Sequence, residues 1–96
     1  MNDMLTKQER VISVFRNLQG WSWDIYPTFT LEREDINVVL PILYNHIIHH
    51  TKPYDDNDFG KLYDTLSEVI KDINRPSYKA TQRESELLQV VLGDFL

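Results

Sequence analysis

Cysteine is absent from this chain, and glycine is scarce. Without cysteine there can be no disulfide, no thiolate nucleophile and no cysteine-ligated zinc site. Only three glycines are present, and neither a glycine-rich phosphate loop nor a nucleophile elbow can be found in the sequence. Because the common signatures of catalysis are missing, we expect a protein that is not an enzyme and that uses no cofactor.

Long apolar runs are also missing. The longest run, from Val38 to Tyr44, is far shorter than the roughly 20 residues that cross a bilayer as a helix. The segment from Met1 to Arg10 lacks the apolar core of a secretory signal. The sequence therefore predicts a soluble, cytoplasmic chain without a membrane partner.

Length and composition indicate one folded unit. The chain has 96 residues, of which 42% are hydrophobic and 26% are charged. This is an ordinary mixture for a globular protein, and a second hydrophobic core would have too little chain to form. We predict a single small acidic helical domain over residues 1–96.

The formal net charge of −5 lies entirely in the middle of the chain. Residues 1–30 and residues 73–96 each contain equal numbers of acidic and basic side chains, whereas residues 31–72 contain nine acids and four bases. A negative field concentrated on one part of a small protein attracts basic partners and repels nucleic acid. The charge pattern thus favours a basic protein as partner over direct nucleic-acid binding.

Two capping boxes predict where helices begin. Thr6 is followed by Glu9, and Thr81 is followed by Glu84, which is the spacing that satisfies two free amides at a helix start. The first helix should span about 7–19 and end at Gly20 in a left-handed conformation. The last helix should end near Gly93, with four residues pointing inward: Leu87, Leu88, Val91 and Phe95.

Two further helices are predicted in the middle of the chain. The 4-3-4 spacing of Ile36, Leu40, Leu43 and Ile47 indicates a helix over about 31–50, in which Pro41 either produces a kink or separates two segments. After a loop over 51–57, an amphipathic stripe indicates another helix that ends at Asn74-Arg75-Pro76. The stripe consists of Phe59, Leu62, Tyr63, Leu66, Val69, Ile70 and Ile73.

The segment 21–30 alternates apolar and polar residues, which is the period of an extended strand. Pro27 restricts such a strand to an edge, so we favour an extended connector packed on helices. The predicted fold is a mostly α, compact bundle of about four helices with an extended or short β element near residues 21–30. The alternative is an α+β fold with a small hairpin over 21–40, in which residues 36–40 form the second strand.

An acidic stripe on the third helix is the main candidate for function. Asp64, Glu68 and Asp72 stand at i, i+4 and i+8, so they should share one face with a rise of about 6 Å per step. Phosphates of one DNA strand rise about 3.4 Å per nucleotide, and the stripe therefore approximates alternate phosphates. The simpler interpretation is a solvated helix face, partly neutralised by Lys61 and Lys71.

The acidic residues of the middle region together form the predicted partner-binding set. Its members are Glu32, Glu34, Asp35, Asp55, Asp56, Asp58, Asp64, Glu68 and Asp72. Trp21 and Trp23 are either core residues, which is the default for tryptophan, or aromatic anchors of a binding surface.

Metal binding has little support in the sequence. His46 and His50 have the i, i+4 spacing of two metal ligands, but spacing defines no third ligand. An EF-hand loop around Gly60 is excluded because Leu66 occupies the position that needs a glutamate. We interpret the histidines as helix-end residues, with pH sensing or metal binding as the alternative.

The sequence as a whole predicts a non-enzymatic acidic binding protein that docks on and blocks a basic surface of another protein. One form of this function is imitation of DNA, which would inhibit a nucleic-acid-binding protein or a nuclease. The alternative is a small interaction or assembly module, such as a homodimer, that acts through an apolar face.

Overall fold

The computed structural model describes residues 6–50 and 57–96. In chain order the elements are α1 (Lys7–Gln19), β1 (Phe29–Glu32), α2 (Arg33–His50), α3 (Asn57–Lys71), β2 (Ser77–Ala80) and α4 (Gln82–Phe95). The prediction of a mostly α bundle with a short β element is confirmed. Among the described residues no helix is both long enough and apolar enough to span a membrane.

Both predicted capping boxes are present. The Thr6 hydroxyl accepts a hydrogen bond from the Glu9 amide at 3.1 Å, and the Glu9 carboxylate accepts one from the Thr6 amide at 2.9 Å. Thr81 and Glu84 make the same pair of bonds at the start of α4. Gly20 ends α1, but its φ of −94° is not left-handed, so that detail of the prediction is wrong.

The end of α4 also differs from the prediction. The helix continues through Gly93 to Phe95, and the Phe95 side chain is 53% exposed instead of pointing inward. A Cβ at Gly93 would lie 3.6 Å from the ring of Phe15, so this glycine lies where α1 passes close to α4. That distance is ordinary van der Waals contact, so the packing does not itself require a glycine, and the prediction that Gly93 ends the helix is wrong.

The short strand β1 pairs with a distant segment. It is antiparallel to β2, with Phe29 opposite Ala80 and Glu32 opposite Ser77. The alternative hairpin over 21–40 is therefore wrong, because residues 36–40 belong to α2. The alternating residues around Trp21 form a turn in which the amides of Ile25 and Tyr26 both donate to the Ser22 carbonyl.

Helix α2 runs without interruption through Pro41. Proline lacks the amide that would bond to the Asn37 carbonyl. Both Pro41 and Asn37 are exposed, so water can reach the carbonyl that this leaves free. The helix begins at Arg33 instead of residue 31 because Leu31 and Glu32 are still paired with β2.

Helix α3 ends at Lys71, earlier than the sequence predicts. A turn follows in which the Arg75 amide donates to the Asp72 carbonyl at 3.0 Å. Ile73, predicted to be the last inward residue of the apolar stripe, is consequently 84% exposed.

Every described helix and strand contributes to one hydrophobic core. Helix α2 packs against each of the other three helices, and the sheet contributes Phe29, Leu31 and Ala80 to the same core. The fully buried residues of the helices include Leu18, Ile36, Val39, Leu43, Leu66, Val69, Leu88 and Leu92.

Candidate partner-binding surface

The acidic stripe of α3 lies on the outer face of that helix. Asp64, Glu68 and Asp72 are all exposed. Although α3 ends at Lys71, Asp72 keeps the helical spacing because its amide donates to the Glu68 carbonyl at 3.2 Å. The three carboxylates therefore follow each other at about 6 Å along the helix axis.

Few ion pairs neutralise this stripe. The ammonium group of Lys71 lies 3.9 Å from the Glu68 carboxylate, and the two side chains are 74% and 73% exposed. Exposed pairs of this kind contribute little and are screened by salt. Within residues 6–50 and 57–96 Asp64 makes no ion pair. The carboxylates of Asp64 and Glu68 are therefore both available to a partner.

Arg33 connects the end of α3 to the start of α2. Its guanidinium group lies within hydrogen-bond distance of four backbone carbonyls: those of Val69, Ile70, Asp72 and Arg75, at 3.0, 2.7, 3.0 and 3.0 Å. These include carbonyls that a helix C-terminus leaves without a partner. Glu32 and Glu34 flank Arg33 in sequence, so the contact brings the backbone of these two acids close to the C-terminal end of α3.

Five exposed acids therefore form what we call the acidic surface: Glu32, Glu34, Asp64, Glu68 and Asp72. Basic groups are also present at its C-terminal end, since Lys71 is exposed and the Arg75 guanidinium lies 5.9 Å from the centre of the Tyr78 ring. Two further exposed lysines lie near these acids: Lys61 stands three residues before Asp64 on α3, and Lys79 lies opposite Thr30 in the sheet.

Two of the predicted binding residues have internal partners. Asp35 accepts hydrogen bonds from the Arg10 guanidinium at 2.9 Å and from the Glu32 amide at 3.1 Å, and its side chain is only 15% exposed. Asp58 pairs with Arg83 at 2.8 Å. The Asp35 carboxylate is largely buried in its pair with Arg10, and the more exposed Asp58 carboxylate is already engaged by Arg83, so we leave both out of the acidic surface. Asp55 and Asp56 lie outside the described residues.

The two tryptophans pack against the core. Both are half-buried, and the indole N–H of Trp21 donates to the Thr28 carbonyl at 3.1 Å. The Trp21 ring lies 6.5 Å from the ring of Trp23 and 4.9 Å from that of Phe29, with near-perpendicular planes in both contacts. These contacts fit the core interpretation better than the anchor interpretation.

The sequence did not reveal the internal contact of Tyr78, a half-buried residue of β2. The Tyr78 hydroxyl donates to the Glu84 carboxylate at 2.8 Å. Burial, followed by this hydrogen bond, raises the pKa of Tyr78 to about 12. The phenol is therefore a stable hydrogen-bond donor at neutral pH and connects β2 to the capping box of α4.

The histidines lie at the C-terminal end of α2. Nδ1 of His46 is 3.8 Å from the Asp94 carboxylate, and the His46 ring lies 5.0 Å from that of Phe59. Nδ1 of His49 lies 2.8 Å from the Asn45 carbonyl oxygen. The side chain of His50 lies outside the described part of the structure, in which no group of three metal-ligating residues is present.

We expect zinc at low micromolar concentration to leave the melting temperature unchanged at neutral pH. A metal that binds the folded state raises the melting temperature once its concentration exceeds the dissociation constant, and a stable zinc site needs at least three protein ligands. A thermal shift assay with and without zinc measures this. A saturable rise that disappears in His46→Ala would show that the histidines do form a site.

Comparison with protein-family models, with curated proteins and with solved structures finds no match for this chain.

Proposed function

We propose that this chain is a non-enzymatic binding protein whose acidic surface docks on and blocks a basic surface of another protein. The observation that supports this most is the contact of Arg33 with the end of α3. It holds the backbone of Glu32 and Glu34 close to the end of α3, and the proposal is that these acids and those of α3 act together as one negative region.

The kind of partner follows from charge and spacing. Exposed carboxylates on a rigid helix attract a basic surface over a distance of about 10 Å and raise the association rate. A step of about 6 Å between carboxylates is close to twice the phosphate rise of one DNA strand. We therefore propose a DNA-binding protein or a nuclease as the partner, with this chain imitating the charge layout of DNA.

Charge reversal tests the proposal. We expect Glu32→Lys, Asp64→Lys and Glu68→Lys together to eliminate capture of the partner from a host lysate at physiological salt, because attraction becomes repulsion at three sites. Asp72 is kept, since its carboxylate accepts a hydrogen bond from the Asn74 amide at 3.0 Å. The fold should survive because all three substituted residues are exposed.

A matched control uses the two lysines of the same helix. Lys61→Glu with Lys71→Glu should capture the partner as well as the unmodified chain or better. Added double-stranded DNA should displace a partner that is held through its DNA-binding surface. If the triple variant folds and still captures the same protein, or if high salt leaves the complex intact, docking by charge is wrong.

An assembly module is the second candidate, and one surface favours it. From Ile36 to His50 the sequence of α2 contains no aspartate, glutamate, lysine or arginine. Tyr44 and Ile48 are each about half exposed on this helix, and the Tyr44 ring lies 5.8 Å from that of Tyr63 on α3. Self-association through this face would resist salt, and sedimentation of Tyr44→Ala with Ile48→Ser would detect its loss.

A further inference from the structure

A groove between the last turns of α2 and α4 is lined by both apolar and polar side chains. It encloses about 260 Å³ and has apolar walls of Ile42, Val91 and Phe95. The polar side chains that line it include His46 and His49 from α2 and Asp94 from α4, and among the described residues its lining contains neither lysine nor arginine. In the described part of the chain the groove therefore combines apolar contact area with a single carboxylate.

The groove is also electronegative for a reason beyond Asp94. It lies beside the last turns of both helices, and a helix C-terminus carries about half a negative charge on its free carbonyls. Basic side chains often compensate this charge, but the last turn of α4 contains no basic residue. In α2 the last turn contains His49 and His50 but no permanently charged lysine or arginine. An external cation can supply the missing positive charge.

Asp94 occupies an unfavourable position in α4. An acid in the last turn is disfavoured by the helix dipole, yet Asp94 occupies that position and its side chain is 60% exposed. The 3.8 Å distance to His46 is longer than a hydrogen bond. Within the described residues the carboxylate makes no hydrogen bond, so its oxygens are available to a ligand.

We propose that this groove binds an arginine side chain of a protein partner. A guanidinium group matches a carboxylate with two parallel hydrogen bonds and stacks on an aromatic ring such as the exposed ring of Phe95. The methylenes of the same side chain would cover Ile42 and Val91. The proposal concerns a different surface from the acidic surface and does not depend on it.

Titration of the full chain with butylguanidinium, followed by backbone amide chemical shifts at constant ionic strength, tests the proposal. We expect saturable shifts confined to residues 42–49 and 91–95, with an apparent dissociation constant of about 1 to 10 mM for so small a probe. Butanol should bind more weakly because it lacks the charge, and butylammonium should bind more weakly because it cannot form the paired hydrogen bonds.

Two variants test whether Asp94 is the group that binds the probe. Asp94→Asn should weaken butylguanidinium binding about fivefold or more, without lowering the melting temperature, since it removes an acid from a helix C-terminus. The matched control Asp64→Asn, on the acidic surface, should leave the affinity unchanged. Absence of localised shifts up to about 50 mM probe, equal binding of butanol or butylammonium, or unchanged binding by Asp94→Asn would each overturn the proposal.

Discussion

Leu66→Ala should destabilise the fold by about 2 to 5 kcal/mol. Leu66 is fully buried in the middle of α3 and belongs to the core that α3 shares with α2. Truncation removes apolar contacts and leaves a cavity that close-packed neighbours can fill only in part. For a domain of this size, the melting temperature should fall by roughly 10 to 30 °C. Chemical denaturation and thermal melting measure both quantities.

Ile73→Ala is the matched control for this change. Ile73 follows the end of α3 and is 84% exposed, so its truncation should leave the free energy of unfolding nearly unchanged. A large loss at Ile73 together with no loss at Leu66 would show that the inward face of α3 has been assigned to the wrong side of the helix.

Local signals in the sequence were sufficient to predict that the four helices exist. A capping box acts over three residues, and the pairs Thr6 with Glu9 and Thr81 with Glu84 occur as the spacing predicts. The pairing of β1 with β2 has no such local signal, because it joins segments far apart in the chain and each strand has only four residues. The hairpin alternative was wrong because residues 36–40 have an apolar spacing that fits a helix packed on α3 better than a strand.

The candidate surface was predictable in part. Charge counting found the acidic middle of the chain, and helical spacing placed Asp64 and Glu68 on one exposed face. It did not distinguish carboxylates that face solvent from those with internal partners. Asp35 pairs with Arg10 and Asp58 with Arg83, in each case across 25 positions of sequence. Contacts at that separation depend on how helices pack, which residue spacing does not encode.

Arg33 shows how one residue connects the fold with the proposed function. Its backbone amide donates to the Pro76 carbonyl at 3.2 Å, next to the sheet, while its side chain contacts the end of α3. By sequence alone it was one of four bases in an acidic region. In the structure the same cation stabilises the negative end of a helix dipole and holds Glu32 and Glu34 near that helix. Arg33 reduces the net negative charge of the region, yet its contacts help to assemble the acidic surface.

Arg33→Met should destabilise the fold by about 2 to 4 kcal/mol, because it retains an apolar chain of similar length and removes every donor. Three carbonyls share Nη1, so at least one of these hydrogen bonds is bifurcated. The contacts with Val69 and Ile70 are part-buried, and water would replace the guanidinium there less well than at the exposed carbonyls. Denaturation in urea measures the loss.

Two further variants separate the causes. Arg83→Met is the matched control: the Arg83 side chain is 61% exposed and pairs only with surface carboxylates, so its loss should have little effect. Arg33→Lys keeps the positive charge near the end of α3 but lacks the planar fork of donors, and we expect it to recover less than half of the lost stability. Full recovery by lysine would show that the charge alone acts on the helix dipole. Wild-type stability in Arg33→Met would show that neither the charge nor the hydrogen bonds hold α3 to α2, and the structural basis of the acidic surface would then be wrong.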